Sequence, residues 1–272
     1  MKLGTCAAVV ASLSGLAAGQ VVDTFEGGVN QGGWAFGGPS EFISPTGGNP
    51  GAYLRTAGLD TTIPWLRCQP GSPFTGDFRA MGVTGAVVDI NVFSTDFNIG
   101  PFPFTVILRS DNGTPANPND DWAVFRMGDA IPAPGSGWKR IAIAIPAAAT
   151  SLPPGWGFLQ FGPGSPPAPD WNGLITRVSR LEFSFGDPEL FYIFQMWTVG
   201  ADNVTLNTAA PCYANCDNST GSPVLTANDF QCFLNKYASG DAYANCDQST
   251  GSPLLTANDF QCFLNKYASG CN

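Results

Sequence analysis

Histidine is missing altogether from the 272 residues. That absence excludes Ser–His and Cys–His nucleophilic pairs and every His-ligated metal site. Charge is also scarce. Only 12% of residues are charged, and 12 Lys and Arg face 21 Asp and Glu, for a net −9. Nucleic acid is excluded as a partner class, because phosphate binding draws on clustered Lys and Arg. No stretch after the N-terminal leader is apolar for the ~20 residues that a membrane helix takes, so no transmembrane segment is expected. Amphipathic helix patterns are lacking up to about residue 209. What is plentiful is Gly and Pro, 33 and 23, which fits short strands joined by turns.

The chain opens "MKLGTCAAVVASLSGLAAGQ". Lys2 supplies a basic start, an apolar run follows from Cys6 to Leu16, and Ala17 and Gly19 take the −3 and −1 places of a cut before Gln20. This order of features predicts a secretory signal over 1–19 and an exported, extracellular or surface-held protein. The remainder is long enough for one sizeable core and a small appendage. Cysteine use fits export. Cys212, Cys216, Cys232, Cys246, Cys262 and Cys271 crowd the C-terminal end, which reads as a disulfide framework. Cys68 stands apart and reads as a buried free thiol or, alternatively, as the site of an intermolecular bridge.

Over 20–209 the apolar residues alternate. "AVVDINVF" sets Val88, Ile90 and Val92 against Asp89 and Asn91, "RIAIAIP" sets Ile141, Ile143 and Ile145 against alanines, and "SRLEFSFG" sets Leu181, Phe183 and Phe185 against Arg180, Glu182 and Ser184. Period two marks half-buried antiparallel strands. "LFYIFQMWTV" is apolar at almost every position and reads as an inner strand covered on both sides. The expected fold is mostly β: an antiparallel β-sandwich of jelly-roll type, followed over 210–272 by a small helical, duplicated module.

The opening "DTFEGG…GGW" and the closing "VGADNVTL" resemble the first and last strands of carbohydrate-binding-module-like and laminin-type jelly rolls. The resemblance implies a structural Ca2+ joining the terminal strands, with Asp23, Glu26 and Asp202 in matching places; the same acids also read as solvated strand ends. Sugar binding by a glycan module works through aromatic faces. Trp171 in "PDWNG", flanked by Asp170 and Asn172, is the best loop candidate, although most tryptophans in such a domain pack the core. Asp120, Asp121, Glu182 and Glu189 offer carboxylates for a polysaccharide hydrolase or lyase, yet no spacing selects a pair.

Residues 213–240 and 243–270 match at 26 of 28 positions, differing only at Asn218/Gln248 and Val224/Leu254. In each copy a T-x-x-D pattern (Thr226 and Asp229; Thr256 and Asp259) opens a helix whose apolar stripe is Phe230, Phe233, Leu234 and Tyr237 in the first copy. One such helix cannot bury its stripe alone, and two copies can bury each other's. The loop before each helix alternates oxygen donors. With Asp229 at position 12 of an EF-hand-like loop, Asn215, Asp217 and Ser219 fall at 1, 3 and 5, Val224 at 7 and Thr226 at 9; the second copy offers Asn245, Asp247, Ser249, Leu254, Thr256 and Asp259. Asp217 also fits as first ligand, and Asp229 and Asp259 also fit as plain helix caps.

This duplicated loop-and-helix, with "LTANDFQCFLNKYASG" in both copies, resembles a dockerin of the cysteine-bearing type. It departs from the standard loop by Asn at the first position, Ser at the fifth and extra residues before Val224. The resemblance implies Ca2+ in the loops and a cohesin-like receptor or surface scaffold as partner. Helix residues turned away from the core would make the contact: Asn228, Gln231, Asn235 and Lys236, with Asn258, Gln261, Asn265 and Lys266. Repeat symmetry favours Cys216–Cys232, Cys246–Cys262 and Cys212–Cys271. The crossed set, Cys216–Cys262 with Cys232–Cys246, respects the symmetry too. The functions expected are a glycan-binding, receptor-docked exported protein, a small polysaccharide-active enzyme, or a structural surface protein.

Overall fold

The computed structural model describes residues 20–97, 100–159, 170–209, 212–217, 219 and 223–271, with Pro118 by its backbone alone. The signal expected at 1–19 lies outside them. Among the described residues eleven strands form the first region: β1 (Gln20–Asp23), β2 (Glu41–Gly48), β3 (Gly51–Thr61), β4 (Trp65–Arg67), β5 (Val83–Thr95), β6 (Pro103–Ser110), β7 (Trp122–Ala130), β8 (Lys139–Ala144), β9 (Gly157–Leu159), β10 (Arg180–Ser184) and β11 (Gln195–Thr208). One sheet runs β2-β3-β11-β5-β8, with β1 also on β11, and the other runs β4-β10-β6-β7-β9. All pairings are antiparallel. The antiparallel β-sandwich is as expected, and the first and last strands do pair, Asp23 opposite Val204.

The inner faces are the alternating residues of the sequence. Val88, Ile90, Val92, Ile141, Ile143, Leu181, Phe183 and Phe185 join one buried cluster. Cys68 is buried and free, as read from its isolation. Two expectations are corrected. The stretch "LFYIFQMWTV" is not an inner strand over its whole length: β11 begins only at Gln195, and Phe191 is 89% exposed. A turn after Gly186 holds this segment outside the sheet, with Tyr192 alone turned inward against Phe102 (ring centres 4.8 Å apart). The polar residues that alternate with the core are not simply solvated either. Asp89, Asn91 and Glu182 are buried on the outer faces of the sheets.

The C-terminal region is built from α2 (Ala227–Ser239) and α3 (Ala257–Ser269), which follow a short α1 (Trp171–Ile175) in the sandwich. Both long helices open with a capping box, in which Thr226 and Asp229, and Thr256 and Asp259, satisfy backbone N–H groups that a helix start leaves unpaired. Gly240 ends α2 at φ 72°, a left-handed turn that glycine makes without Cβ strain. The two stripes meet as the duplication implies. Phe233 and Phe263 are fully buried and stack at 4.0 Å, and Phe230 meets Phe260 at 5.8 Å. Tyr213 and Tyr243 stack at 4.8 Å, each donating its hydroxyl to the other's backbone carbonyl. Three disulfides close the unit: Cys212–Cys271, Cys216–Cys232 and Cys246–Cys262. The in-repeat pairing is adopted and the crossed one is not.

Candidate functional site

The outer face of the six-stranded sheet gathers three aromatic rings from distant parts of the chain. Tyr53 projects from β3, Phe93 from β5, and Trp138 from the turn leading into β8. Trp138 stands edge-on to both of the others, 5.1 Å from Tyr53 and 6.1 Å from Phe93, and those two lie 5.7 Å apart. The strand beneath is Gly200 of β11, opposite Arg55 on one side and Asn91 on the other. A Cβ at Gly200 would come within 2.9 Å of the Tyr53 ring and 3.1 Å of Phe93. Glycine is therefore required there for the rings to lie down on the strand. Trp138 is fixed by its Nε1, which donates to the Gly47 carbonyl at 2.9 Å, and the Arg55 guanidinium lies 5.1 Å from the centre of the Phe93 ring.

Polar groups line the same face. Asn91 is 95% buried, and its Oδ1 has no hydrogen-bond partner among the described residues; the same holds for Arg55 Nε. An unmet buried acceptor costs about 1–3 kcal/mol, so these atoms are primed for a partner that donates and accepts. Nearby, Asp89 Oδ2 accepts from Asn49 Nδ2 (3.2 Å) and Asn203 Nδ2 (2.9 Å) and lies 3.7 Å through Oδ1 from Arg140 Nη1. Asp202 accepts from the Asn49 and Asn203 backbone N–H groups at 2.6 and 2.7 Å. Burial pushes its carboxyl up to about 6 against those hydrogen bonds, and the charges of Asp89 and Glu26 add to the rise. The half-buried Phe93 and Trp138 rings, beside orphaned polar atoms, suit a ligand with apolar faces and hydroxyl edges.

The predicted site residues fare differently. Trp171 is not a loop platform: Asp170 caps α1 through Asn172 N (3.1 Å), and that turn carries the indole into the core, 1% exposed. There it packs edge-on to Trp156 at 5.3 Å and donates Nε1 to Ala149 O. Asn172 is spent on Arg79 and on the Thr150 carbonyl. Asp23 accepts from Phe25 and Gly32 N–H groups, Glu26 from Ala52 N, and Asp202 as above. The three acids thus serve backbone N–H groups where the terminal strands meet. Among the described residues no group of three or more Cys, Asp or Glu is gathered as a metal site.

In the tail the loop donors converge on the helix starts. Asp229 accepts from Asp217 N (3.2 Å) and Thr226 N (2.8 Å), and Asp259 from Asp247 N and Thr256 N at the same distances. Burial raises Asp259, yet the Thr256 and Asp247 N–H groups outweigh it and hold the carboxyl below its ordinary value. Ser219 and Ser249 donate to the carbonyls of Val224 and Leu254, and Asp217 and Asp247 accept from Ser219 N and Ser249 N. Asn215 Nδ2 and Asn245 Nδ2 donate to the Ser219 and Ser249 carbonyls. Their Oδ1 atoms are buried without a partner among the described residues, identically in both copies. The helix residues Asn228, Gln231, Asn235, Asn258, Gln261 and Asn265 are exposed. Lys236 and Lys266 do not point away from the unit. They lie over Tyr243 (4.9 Å) and Tyr213 (4.3 Å) of the opposite copy, because a cation gains from a tyrosine face.

Sequence reasoning missed Tyr53, Phe93 and Trp138, since nothing in their spacing links them. The available signal was Gly200, a glycine inside an otherwise bulky strand. No family model matches the chain, and no curated protein does. Among solved structures, the chain is similar to an exo-beta-agarase (TM-score 0.40, 14% identity, over 70% of this chain and 26% of that one). It is also similar to the CBM22-1 xylan-binding domain of Paenibacillus barcinonensis Xyn10C (TM-score 0.34, 13% identity, 70% and 98%). A third is the family 30 carbohydrate-binding module of a Clostridium thermocellum cellulosomal cellulase (TM-score 0.32, 13% identity, 70% and 92%). The chain thus spans about a quarter of the agarase and most of the two modules.

Proposed function

We propose that this is an exported two-part protein whose sandwich binds a neutral polysaccharide and whose tail docks to a receptor domain of the cohesin type. The sandwich reading rests on one observation: Phe93 and Trp138 present ring surface beside the unpaired Asn91 Oδ1 and Arg55 Nε. Sugar C–H faces pack on the rings, and hydroxyls meet the polar atoms. Affinity electrophoresis in xylan, mixed-linkage β-glucan and agarose tests it. The protein is retarded in at least one gel, and Trp138→Ala or Phe93→Ala abolishes the retardation. Migration indifferent to all three polymers, or variants that still bind, overturns the reading.

For the tail, the support is that α2 and α3 carry the same exposed residues on two copies that clasp each other reciprocally. Titration of a cohesin-type domain into the oxidised protein should then give one binding event that survives Asn235→Ala or Asn265→Ala and disappears in the double variant. Equal loss from either single change counts against two interchangeable faces.

Ca2+ belongs to the same reading. The chemistry of the donor set is all oxygen, and the orphaned Oδ1 of Asn215 and Asn245 are acceptors that a hard cation would satisfy. Asn215, Asp217 and Asp229, with Asn245, Asp247 and Asp259, would hold it. Two carboxylates per loop make a weak site, and the capping boxes and disulfides hold the fold without it. Calorimetry after chelation should report weak binding, with little change in helix content on adding EDTA.

A further inference from the structure

The outer face of the five-stranded sheet has a different chemistry from the aromatic face. Arg67 of β4, Arg109 of β6 and Arg180 of β10 all project from it, because their neighbours Leu66, Leu108 and Leu181 point into the core. Arg180 stands directly opposite Arg109 in the strand register, and Glu182 stands opposite Arg67. Among the described residues, two acids pair with these guanidinium groups. Glu182 is fully buried, 2.9 Å from Arg109 Nε and 3.5 Å from Arg67 Nε, and Asp121 lies 3.1 Å from Arg109 Nη1. Arg109 is thus held between two carboxylates. Arg67 is held by one and lies over the Trp65 ring at 4.8 Å. Arg180, half-exposed, has no hydrogen bond or ion pair among the described residues.

This is an uneconomical arrangement for a structural face. Like charges directly opposite on adjacent strands are destabilising. The chain has only 12 basic residues and a net charge of −9, yet three arginines converge here, and among the described residues no acid pairs with Arg180. Buried Glu182 does for Arg67 what a second layer of ligands does for a metal: it fixes the guanidinium beside Trp65 with its outer edge toward solvent. Guanidinium forks match the planar or tetrahedral oxygens of carboxylates and sulfate esters. Trp65 beside them adds an aromatic edge against which a sugar ring can pack.

We propose that this face is a second ligand site, one that takes an acidic sugar residue, a uronate or a sulfated unit of a polysaccharide, with Arg180 and Arg67 as the contacting cations. The two faces of the sandwich then divide the work: the aromatic face takes uncharged sugar, and the arginine face takes the anionic group.

Affinity electrophoresis of the oxidised protein in polygalacturonate, dextran sulfate and plain dextran tests this. The protein should be retarded by an acidic polymer and not by dextran, against the repulsion of its own net charge. Arg180→Gln and Arg67→Gln should each weaken that binding about tenfold, the loss of one charge-assisted hydrogen bond. Trp138→Ala should leave it unchanged, which separates this site from the aromatic face. Retardation should fade as salt is raised toward 0.5 M. A free anion is the other source of the same chemistry. If inorganic sulfate at millimolar concentration displaces the polymer completely, the site is an ion site and the polysaccharide assignment is overturned. No retardation, or retardation indifferent to both arginine changes, also overturns it. Melting without ligand guards against a structural role: Arg180→Gln should melt at the same temperature or higher, since it removes a like-charge pair, and a marked drop would assign Arg180 to the fold instead.

Discussion

The sandwich and the tail of this chain solve the same problem by opposite means. The sandwich buries some forty apolar residues in one cluster and leaves its one described cysteine unpaired. The tail has six buried residues in its cluster and three disulfides. A fold of ~60 residues rarely gains enough from its core alone, so cross-links replace missing apolar area. Their electrostatics differ as well. Burial raises the carboxyls of Asp23, Glu41 and Asp202 in the sandwich, whereas hydrogen bonds lower Asp217 and Asp259 in the tail.

Reduction should expose this contrast most sharply. Loops of 16, 16 and 59 residues close on the tail's bridges, each contributing about 3–4 kcal/mol by chain entropy. In dithiothreitol the helical circular dichroism should vanish and protease should trim the chain near residue 210, while the sandwich survives. Next in size is Phe263→Ala, which removes one half of the stacked central pair. A loss of about 3–5 kcal/mol is expected, enough to melt the oxidised tail at ambient temperature and leave the sandwich transition unmoved in calorimetry.

The pH response should separate the regions more finely. Asp202 has a folded value of about 6 against an ordinary 3.8, so the folded sandwich binds more protons than the unfolded chain between those values. Its stability then rises as pH falls from 7 toward 4, with a melting point about 2–4 °C higher at pH 5 than at pH 7. For the tail the sign reverses. The stability that Asp259 contributes is present above its ordinary value and is lost as pH drops through its lowered folded value. A sandwich transition that moves down at pH 5 would contradict the assignment. The smallest effect is local: Thr226→Ala removes one capping hydroxyl and should cost about 1 kcal/mol, seen as fraying of α2 in hydrogen exchange and not of α3.

Much of this architecture could be read from residue order. Period-two runs located β5, β8 and β10 and their inward faces, because alternation follows directly from the pleat. The tail helices and their caps followed from the repeat, whereas its symmetry allowed two disulfide pairings, of which the structure takes the in-repeat one. The aromatic face did not. Tyr53, Phe93 and Trp138 meet only because β3, β5 and β8 are brought across one sheet by pairing between distant segments, which no local pattern encodes. Trp171 failed for a related reason. The "PDWNG" stretch carries turn residues, but Asp170 uses its side chain to start a helix, and one helical turn rotates the indole inward. The exposed run around Phe191 shows the opposite failure, since hydrophobicity alone cannot say which side of a sheet edge a segment will take.

The reciprocal hydroxyl contacts between Tyr213 and Tyr243 bear on how the chain matures. Cys216 and Cys246 lie in almost the same local sequence, as do Cys232 and Cys262, so chemical identity offers an oxidant no means of telling one from another. Proximity along the chain does not separate them either, since Cys232 lies closer in sequence to Cys246 than to its partner Cys216. The pairing is therefore set by the folded loop-and-helix, in which the Asp217 and Asp247 N–H groups bond the carboxylates at the helix starts and bring each loop cysteine to its own helix, while the paired tyrosines align the two copies.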